Sequence, residues 1–173
     1  MNAIRFAGAV CLLAVLGVTS SSARPQETFG DAAAMVQFQR SVDAYAFQHR
    51  QVQRRLGEGV DQNALAAGLR AARPSAADGT FFTPMIAAAF HNRIATALRR
   101  PGCAIVLVGT SSSEVPRVGF LTMNASSLPD CVLSVLPRLP EELEYREAGV
   151  VMLLLDTHAN MVVDVLHGAF PTR

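Results

Sequence analysis

A run of six apolar residues, Val150–Leu155, constrains the fold of this chain more than any other segment. A strand with one solvated face alternates apolar and polar residues, whereas a strand that is apolar at every position needs cover on both faces. A second, largely apolar run, Met161–Leu166, follows the polar stretch Asp156–Asn160, and two such runs around a polar connection predict a β-hairpin. We expect helices on one face of this hairpin, and either other strands or a second subunit on the other.

The connection between the two runs has residues typical of a tight turn. Asn160 tolerates the unusual backbone angles of such turns, and Asp156 can accept hydrogen bonds from turn amides. If residues 157–160 form the loop, Asp156 faces Met161 across the hairpin.

Four residues of types that ligate metals fall close together: Asp156, His158, Asp164 and His167. In the predicted hairpin Asp164 lies across from Leu153, and His167 lies across from Val150. Alternation then places Asp164 on the opposite sheet face from Asp156 and His167. A first shell of three ligands would need a shifted register or ligands from elsewhere, so the sequence predicts no metal site.

The segment from Asp31 to Leu56 predicts a long amphipathic helix. Apolar or ring-bearing residues recur at intervals of three and four: Met35, Phe38, Val42, Tyr45, His49, Val52 and Leu56. This repeat places one stripe along a helix, and Gly57 is typical of a helix end. We expect the stripe to pack inside the monomer, although such a seam also suits a partner helix. His49 is interpreted as a hydrogen-bonded core histidine, with a ligand role as the alternative.

Two further helices are predicted before residue 101. Val60–Ala72 is rich in alanine, and residues 74–79 form a linker after it. Thr83 then supplies a cap for the third helix and Pro84 suits its first position. The predicted buried face of this helix consists of Ile86, Phe90, Ile94 and Ala97 or Leu98. His91 falls on the predicted solvated side and is a weak catalytic candidate.

All 15 residues in the lysine and arginine class are arginine. Schiff-base catalysis, a Walker A phosphate loop and a Ser-x-x-Lys nucleophile pair all need a lysine amine and are excluded. Arginine dominates residues 40–100 and acidic residues dominate 101–173, an asymmetry that predicts two halves packed together, with an anionic partner as the alternative. Nucleic-acid binding is not expected, because no recognition motif or aromatic interleaving accompanies the arginines.

The first 23 residues have the pattern of a secretory signal peptide. Arg5 precedes an apolar run from Ala7 to Val18, and small residues follow as far as Ala23. Because the run is shorter than the ~20 residues of a spanning helix, we expect cleavage after Ala23 rather than a retained anchor. This pattern predicts a periplasmic or secreted protein with no stable membrane span after cleavage.

Cleavage would leave two cysteines, Cys103 and Cys131. In an oxidising compartment outside the cytoplasm these two residues can form a disulfide. Both also precede apolar residues, so a pair of small buried thiols is the alternative. The sequence leaves both interpretations open.

Residues 24–173, 150 in number, are expected to form a single α+β domain able to bury about 70% of the surface that the unfolded chain exposes. Residues 24–100 are mainly helical, and 101–173 are mixed, with a strand at 115–124 and a short helix at 129–136. The predicted fold has two or three N-terminal helices packed on a small, mainly antiparallel sheet that ends in a C-terminal β-hairpin.

A longer pattern spans the C-terminal region from Leu136 to Asp164. Leu-Pro-x-Leu-Pro-x-x-Leu-x-Tyr-Arg begins at Leu136, and Leu-x-Asp-x-His-Ala-Asn-x-x-Val-Asp begins at Leu154. This combination resembles a group of small exported bacterial proteins of unassigned function, with looser similarity at residues 38–45 and 82–84. The resemblance implies export and a shared fold, and it transfers no catalytic residue.

The sequence has no organised reactive constellation, and it favours a non-enzymatic exported binding or envelope-associated protein. The hairpin and the 31–56 helix are the expected surfaces for a protein partner or a homodimer. The alternative is a small periplasmic hydrolase or metal-dependent enzyme that uses Asp156, His158 and Asp164, with help from His91. No cofactor is expected.

Overall fold

The structure, a computed structural model, describes residues 29–105, 116–120 and 125–171. These ranges contain the helices α1 (Phe29–Leu56), α2 (Gln62–Ala72), α3 (Pro84–Leu98) and α4 (Asp130–Leu133), and the strands β1 (Ser126–Ser127), β2 (Leu143–Ala148), β3 (Val151–Asp156) and β4 (Met161–Leu166). The strands form one antiparallel sheet in the order β1-β2-β3-β4. The predicted α+β fold, with helices followed by a small sheet that ends in a hairpin, is confirmed.

Helix α1 buries the predicted stripe along its middle part. Phe38 is fully buried and packs its ring against those of Phe82, Phe90 and Tyr145, with centroids 4.8 to 6.3 Å apart. These rings join α1 to α3 and to β2, since Tyr145 lies on that strand. The stripe does not stay buried to its end, because Leu56 is 45% exposed.

The starts of α2 and α3 differ in how they are capped. Asp61 precedes α2, and its side chain accepts hydrogen bonds from the backbone N–H groups of Asn63 and Ala64, which satisfies two of the free donors of the first turn. Thr83 is the N-cap residue of α3 with Pro84 at the first position, as predicted, but the Thr83 side chain makes no capping hydrogen bond. The predicted buried face of α3 is confirmed at Ile86, Phe90, Ile94 and Ala97.

The C-terminal hairpin has the predicted turn. Asp156 pairs with Met161, and Asn160 adopts a positive φ of 45°. The backbone N–H of Ala159 donates to Asp156 Oδ1 at 2.7 Å. The turn chemistry of Asp156 and Asn160 is therefore as the sequence indicates.

A register shift in the hairpin overturns the predicted position of Asp164. The pairing of β3 and β4 is irregular at Leu154 and Leu155, and Asp164 pairs with Leu154 rather than with Leu153. Val163 and Leu154 both belong to the core cluster beneath the helices. The prediction that Asp164 lies on the opposite sheet face from Asp156 is wrong, because an extra residue in β4 shifts the alternation and turns Asp164 towards the helices.

The outer face of the sheet is also buried. Its apolar side chains are Ala148, Val151, Leu153, Leu155, Val162 and Val165, and the described residues Val118 and Ala125 pack against them. Beyond β4, Val162 accepts a hydrogen bond from Gly119 N at 2.8 Å and donates one to Phe120 O at 2.9 Å. Both faces of the hairpin are thus covered within the chain.

Some predicted features lie outside the described residues. These are the signal peptide at 1–23 and half of the strand predicted at 115–124, while the described half, residues 116–120, contains no strand. Across the ranges that the structure describes, no helix combines the length and apolarity needed to cross a membrane.

A disulfide joins Cys103 to Cys131, 28 residues apart in sequence, with the two Cα atoms 5.8 Å apart. Cys103 follows α3 and Cys131 lies in α4, so the bond ties the end of one helix to another. Cys103 and Val132, the residue after Cys131, belong to the main core cluster. Of the two alternatives that the sequence leaves open, the structure contains the disulfide.

Replacing both half-cystines, as Cys103→Ser with Cys131→Ser, is expected to lower the free energy of unfolding by about 3 to 4 kcal/mol, because a loop of this length loses its closure in the unfolded chain. Urea denaturation under oxidising conditions measures the change. The wild-type protein with its disulfide reduced is the matched control, and its urea midpoint should equal that of the double variant. Equal midpoints for the oxidised wild type and the double variant would contradict this contribution.

Candidate functional site

The carboxylate of Asp156 is fully buried at the end of β3 and accepts three hydrogen bonds. Tyr45 Oη donates to Oδ2 at 2.6 Å, His49 Nδ1 donates to the same oxygen at 2.7 Å, and the Ala159 backbone N–H donates to Oδ1. Tyr45 and His49 are four residues apart on α1, so they lie one above the other on one helix face and reach the same carboxylate. These bonds attach α1 to the hairpin.

Hydrogen bonds decide the ionisation of Asp156. Burial alone raises its pKa, but the bonds from His49, Tyr45 and the Ala159 amide outweigh it and hold the pKa of the carboxyl below its usual range. Burial and the nearby Asp156 charge raise the pKa of Tyr45 well above its usual value, so the phenol keeps its proton and donates. The pair is therefore an ionised carboxylate facing a neutral phenol.

His49 has one satisfied and one unsatisfied ring nitrogen. Because an ionised carboxylate only accepts hydrogen bonds, the proton on the bond to Asp156 is assigned to Nδ1. Nε2 is buried and has no hydrogen-bond partner in the part of the chain that the structure describes. The imidazole of His158, an exposed residue in the turn, lies with its centroid 5.3 Å from that of His49. We call Tyr45, His49, Asp156 and His158 the corner cluster.

A second buried carboxylate lies beside the corner cluster. Glu142 is 1% exposed, and Arg50, the residue after His49, donates to its Oε1 at 2.5 Å. The Glu142 carbonyl accepts a hydrogen bond from Thr157 N, next to Asp156. Its other oxygen, Oε2, is buried without a hydrogen-bond partner. Carboxylates thus mark both strand ends at this corner of the sheet.

Asp164 holds a loop rather than an open site. Its Oδ2 accepts hydrogen bonds from Phe81 N at 2.6 Å and Phe82 N at 2.8 Å, and its Oδ1 accepts from Gly79 N at 2.7 Å and from Val165 N at 2.9 Å. Three of these donors are backbone amides of the loop at residues 79–82, where they would otherwise need another acceptor. Asp164 therefore fixes residues 79–82 against the sheet, and its oxygens are occupied.

Arg73 packs against Tyr45 and Phe81, the residues that bind Asp156 and Asp164. Its guanidinium carbon is 5.1 Å from the ring centroid of Tyr45 and 5.2 Å from that of Phe81, distances typical of cation–π contacts. Burial lowers the pKa of Arg73, and the electrostatic effects of Tyr45 and Asp164 oppose that shift. One of its terminal nitrogens, Nη2, is buried and has no hydrogen-bond partner.

Arg73 also lines a surface cleft of about 190 Å³. The cleft residues are Leu69, Arg70, Arg73, Pro74, Ala76, Val118, Gly119, Phe120 and Met161, which we call the arginine cleft. Arg70 spans it, because its Nη1 donates to the Gly119 carbonyl at 3.1 Å. The walls thus combine two guanidinium groups with apolar side chains.

The structure separates the residues that the sequence grouped as catalytic candidates. Asp156 and His158 share the corner cluster, whereas Asp164 binds the 79–82 loop. His91 lies elsewhere, with its Nε2 2.9 Å from the His167 carbonyl oxygen. Within the part of the chain that the structure describes, no group of three or more His, Cys, Asp or Glu residues is arranged to hold a metal ion.

Several site residues were not recognised from the sequence. The sequence pattern places Tyr45 only in the apolar stripe, and it predicts no individual role for Arg70, Arg73 or Glu142. A signal existed for the first, because a phenol and an imidazole four residues apart on a buried stripe both need a polar partner. Nothing in the local sequence identifies that partner as Asp156, more than 100 residues further along the chain.

The predicted partner surfaces differ in what they expose. On the hairpin, β3 and β4 are buried at every position, and the exposed residues that flank them include Val150, His158 and His167. Helix α1 exposes Val36 at 53% and Phe47 at 56%. A protein partner or a second copy on α1 stays a prediction, while the hairpin offers little apolar surface to one.

No family model, no curated protein and no solved structure matches the chain. What the protein does must therefore be argued from the corner cluster and the arginine cleft themselves.

The depressed pKa of Asp156 predicts a specific loss of stability in acid. The stabilisation is fully present above the unfolded value of about 3.9 and is lost as the pH falls through the lower folded value. We expect the free energy of unfolding of the wild type to fall more steeply than that of Asp156→Asn below about pH 4. Urea titrations between neutral pH and pH 2 measure both slopes.

The exposed Asp130→Asn variant is the control, because it removes an acidic residue without touching the corner cluster. It should keep the wild-type pH profile. Parallel profiles for Asp156→Asn and the wild type would show that Asp156 is not held ionised by its neighbours.

Proposed function

We propose that the protein is an exported binding protein without catalytic activity, and that the arginine cleft takes a small anionic molecule with a short apolar portion. The observation that carries the proposal is Arg73, which lines the cleft and whose buried Nη2 has no acceptor among the described residues. Buried polar groups in folded proteins are almost always paired, so an incompletely paired guanidinium on a residue that lines a cleft favours an anionic ligand there.

The chemistry of arginine defines the charged part of the ligand. A guanidinium presents a planar fork of donors that matches a carboxylate or a phosphate. Contact with the rings of Tyr45 and Phe81 holds the Arg73 group in place, so little side-chain freedom is lost when an anion binds. Arg70 adds a second positive charge to the same cleft.

The remaining walls define the uncharged part. Leu69, Val118, Phe120 and Met161 contribute apolar surface, and Phe120 is 63% exposed at the rim. The volume of about 190 Å³ is below the roughly 300 to 1,000 Å³ of pockets that hold drug-sized molecules. A small carboxylate with a short alkyl chain fits these limits.

The state of the buried carboxylates favours binding over catalysis. A general acid or base must reach the proton that it transfers. Asp156 is fully buried beneath three donors, and Asp164 is fully buried beneath four. The alternative of a hydrolase or metal-dependent enzyme that uses Asp156, His158 and Asp164 would require these bonds to break.

Two features support export. The apolar run from Ala7 to Val18 with small residues after it has the signal-peptide pattern. The Cys103–Cys131 disulfide suits an oxidising compartment outside the cytoplasm.

Binding of hexanoate tests the proposed cleft, with 1-hexanol as an uncharged ligand of the same chain length. We expect hexanoate to shift backbone amide resonances of residues 69–76 and 118–120 in a saturable way, and hexanol to bind at least about tenfold more weakly, because a charge-assisted hydrogen bond contributes about 1.5 to 3 kcal/mol. Two-dimensional NMR titration of the mature protein measures both affinities.

The variant Arg73→Gln should weaken hexanoate binding to the level of hexanol. The exposed Arg100→Gln at the end of α3 removes the same charge far from the cleft and should leave the affinity unchanged. Equal binding of the two ligands, or wild-type affinity in Arg73→Gln, would contradict the proposal.

A further inference from the structure

We propose that His49 and His158 bind one divalent transition-metal ion at the corner cluster, with Asp156 orienting the His49 ring. The two histidines do not line the arginine cleft, and the metal site requires no anion there.

The hydrogen bonding of the His49 ring supports the site. Its side chain is fully buried, Asp156 holds Nδ1 at 2.7 Å, and Nε2 has no hydrogen-bond partner within the described ranges. Histidines that ligate metals almost always donate their second ring N–H to a carboxylate or carbonyl, which fixes the ring and makes the other nitrogen more basic. The bond from His49 to Asp156 is of this kind.

The second argument is the position of His158. Two imidazoles that ligate one tetrahedral ion, each through a bond of about 2.1 Å, place their ring centroids about 5 Å apart. The centroids of His49 and His158 are 5.3 Å apart, with their planes inclined by 66°. The separation of the two rings therefore matches that of two imidazoles bound to one ion.

The ligand types define the class of metal. Neutral imidazole nitrogen suits Zn²⁺ and its neighbours Cu²⁺ and Ni²⁺, and does not suit Mg²⁺ or Ca²⁺, which prefer oxygen. No third His, Cys, Asp or Glu among the described residues is placed to complete the set. Because His158 is exposed, water can fill the remaining positions, and this arrangement predicts an open, moderate-affinity site rather than a closed structural one.

The test is a Zn²⁺ titration of the mature, untagged protein after chelator treatment, followed by calorimetry. We expect one ion per chain. Removing a ligand should cost at least as much as the roughly 10- to 100-fold loss that follows removal of an outer partner. His158→Gln, a substitution of an exposed side chain that should not prevent folding, is therefore expected to lower the affinity by about tenfold or more.

His167→Gln is the matched control, because His167 is also exposed and lies outside the corner cluster. It should keep the wild-type affinity for Zn²⁺. NMR of ¹⁵N-labelled histidine adds a direct reading, since Zn²⁺ should shift the Nε2 resonance of His49 in the wild type.

Four results would overturn the site. These are the absence of saturable Zn²⁺ binding, wild-type affinity in His158→Gln, an equal loss in His167→Gln, and an Nε2 resonance of His49 that does not respond to the ion.

Discussion

The buried carboxylate of Asp156 is the contact on which the arrangement of the helices and the sheet depends. It closes the turn through the Ala159 amide and binds α1 through Tyr45 and His49. Leaving a buried charge without partners costs several kcal/mol, so the carboxylate is stable there only while α1 is docked. One side chain thus couples the hairpin turn to the position of the longest helix.

A second buried aspartate, Asp164 at the fourth position of β4, also joins distant segments of the chain. Asp164 accepts hydrogen bonds from the backbone amides of Gly79, Phe81 and Phe82. This loop holds the Phe81 ring against the guanidinium of Arg73. Arg73 contacts the ring of Tyr45, which binds Asp156, and the charge of Asp164 favours the protonated form of its guanidinium. The same interactions that balance buried charge therefore place Arg73 at the cleft.

The sequence predicted those features of the fold that periodicity encodes, and it missed those that depend on one residue of register. The stripe from Phe38 to Val52 and the turn at Asn160 are local patterns, and both were recognised. Strand β2, Leu143–Ala148, was missed although buried and partly exposed residues alternate along its first half. The reason is that three of its six residues are glutamate or arginine. The predicted sheet face of Asp164 was wrong, because the β3–β4 register shift leaves no signal in the alternation of apolar residues along the sequence. The pairing of His49 with Asp156 joins distant segments, which local patterns cannot match.

The most direct test of the account is a double-mutant cycle between Tyr45→Phe and Asp156→Asn, with the free energy of unfolding measured by urea denaturation at neutral pH. If Asp156 docks α1 through charge-assisted hydrogen bonds, the two substitutions should be coupled by about 1 to 3 kcal/mol. Additivity within about 0.5 kcal/mol would contradict the account, because it would mean that α1 is held to the sheet by apolar packing without this contact.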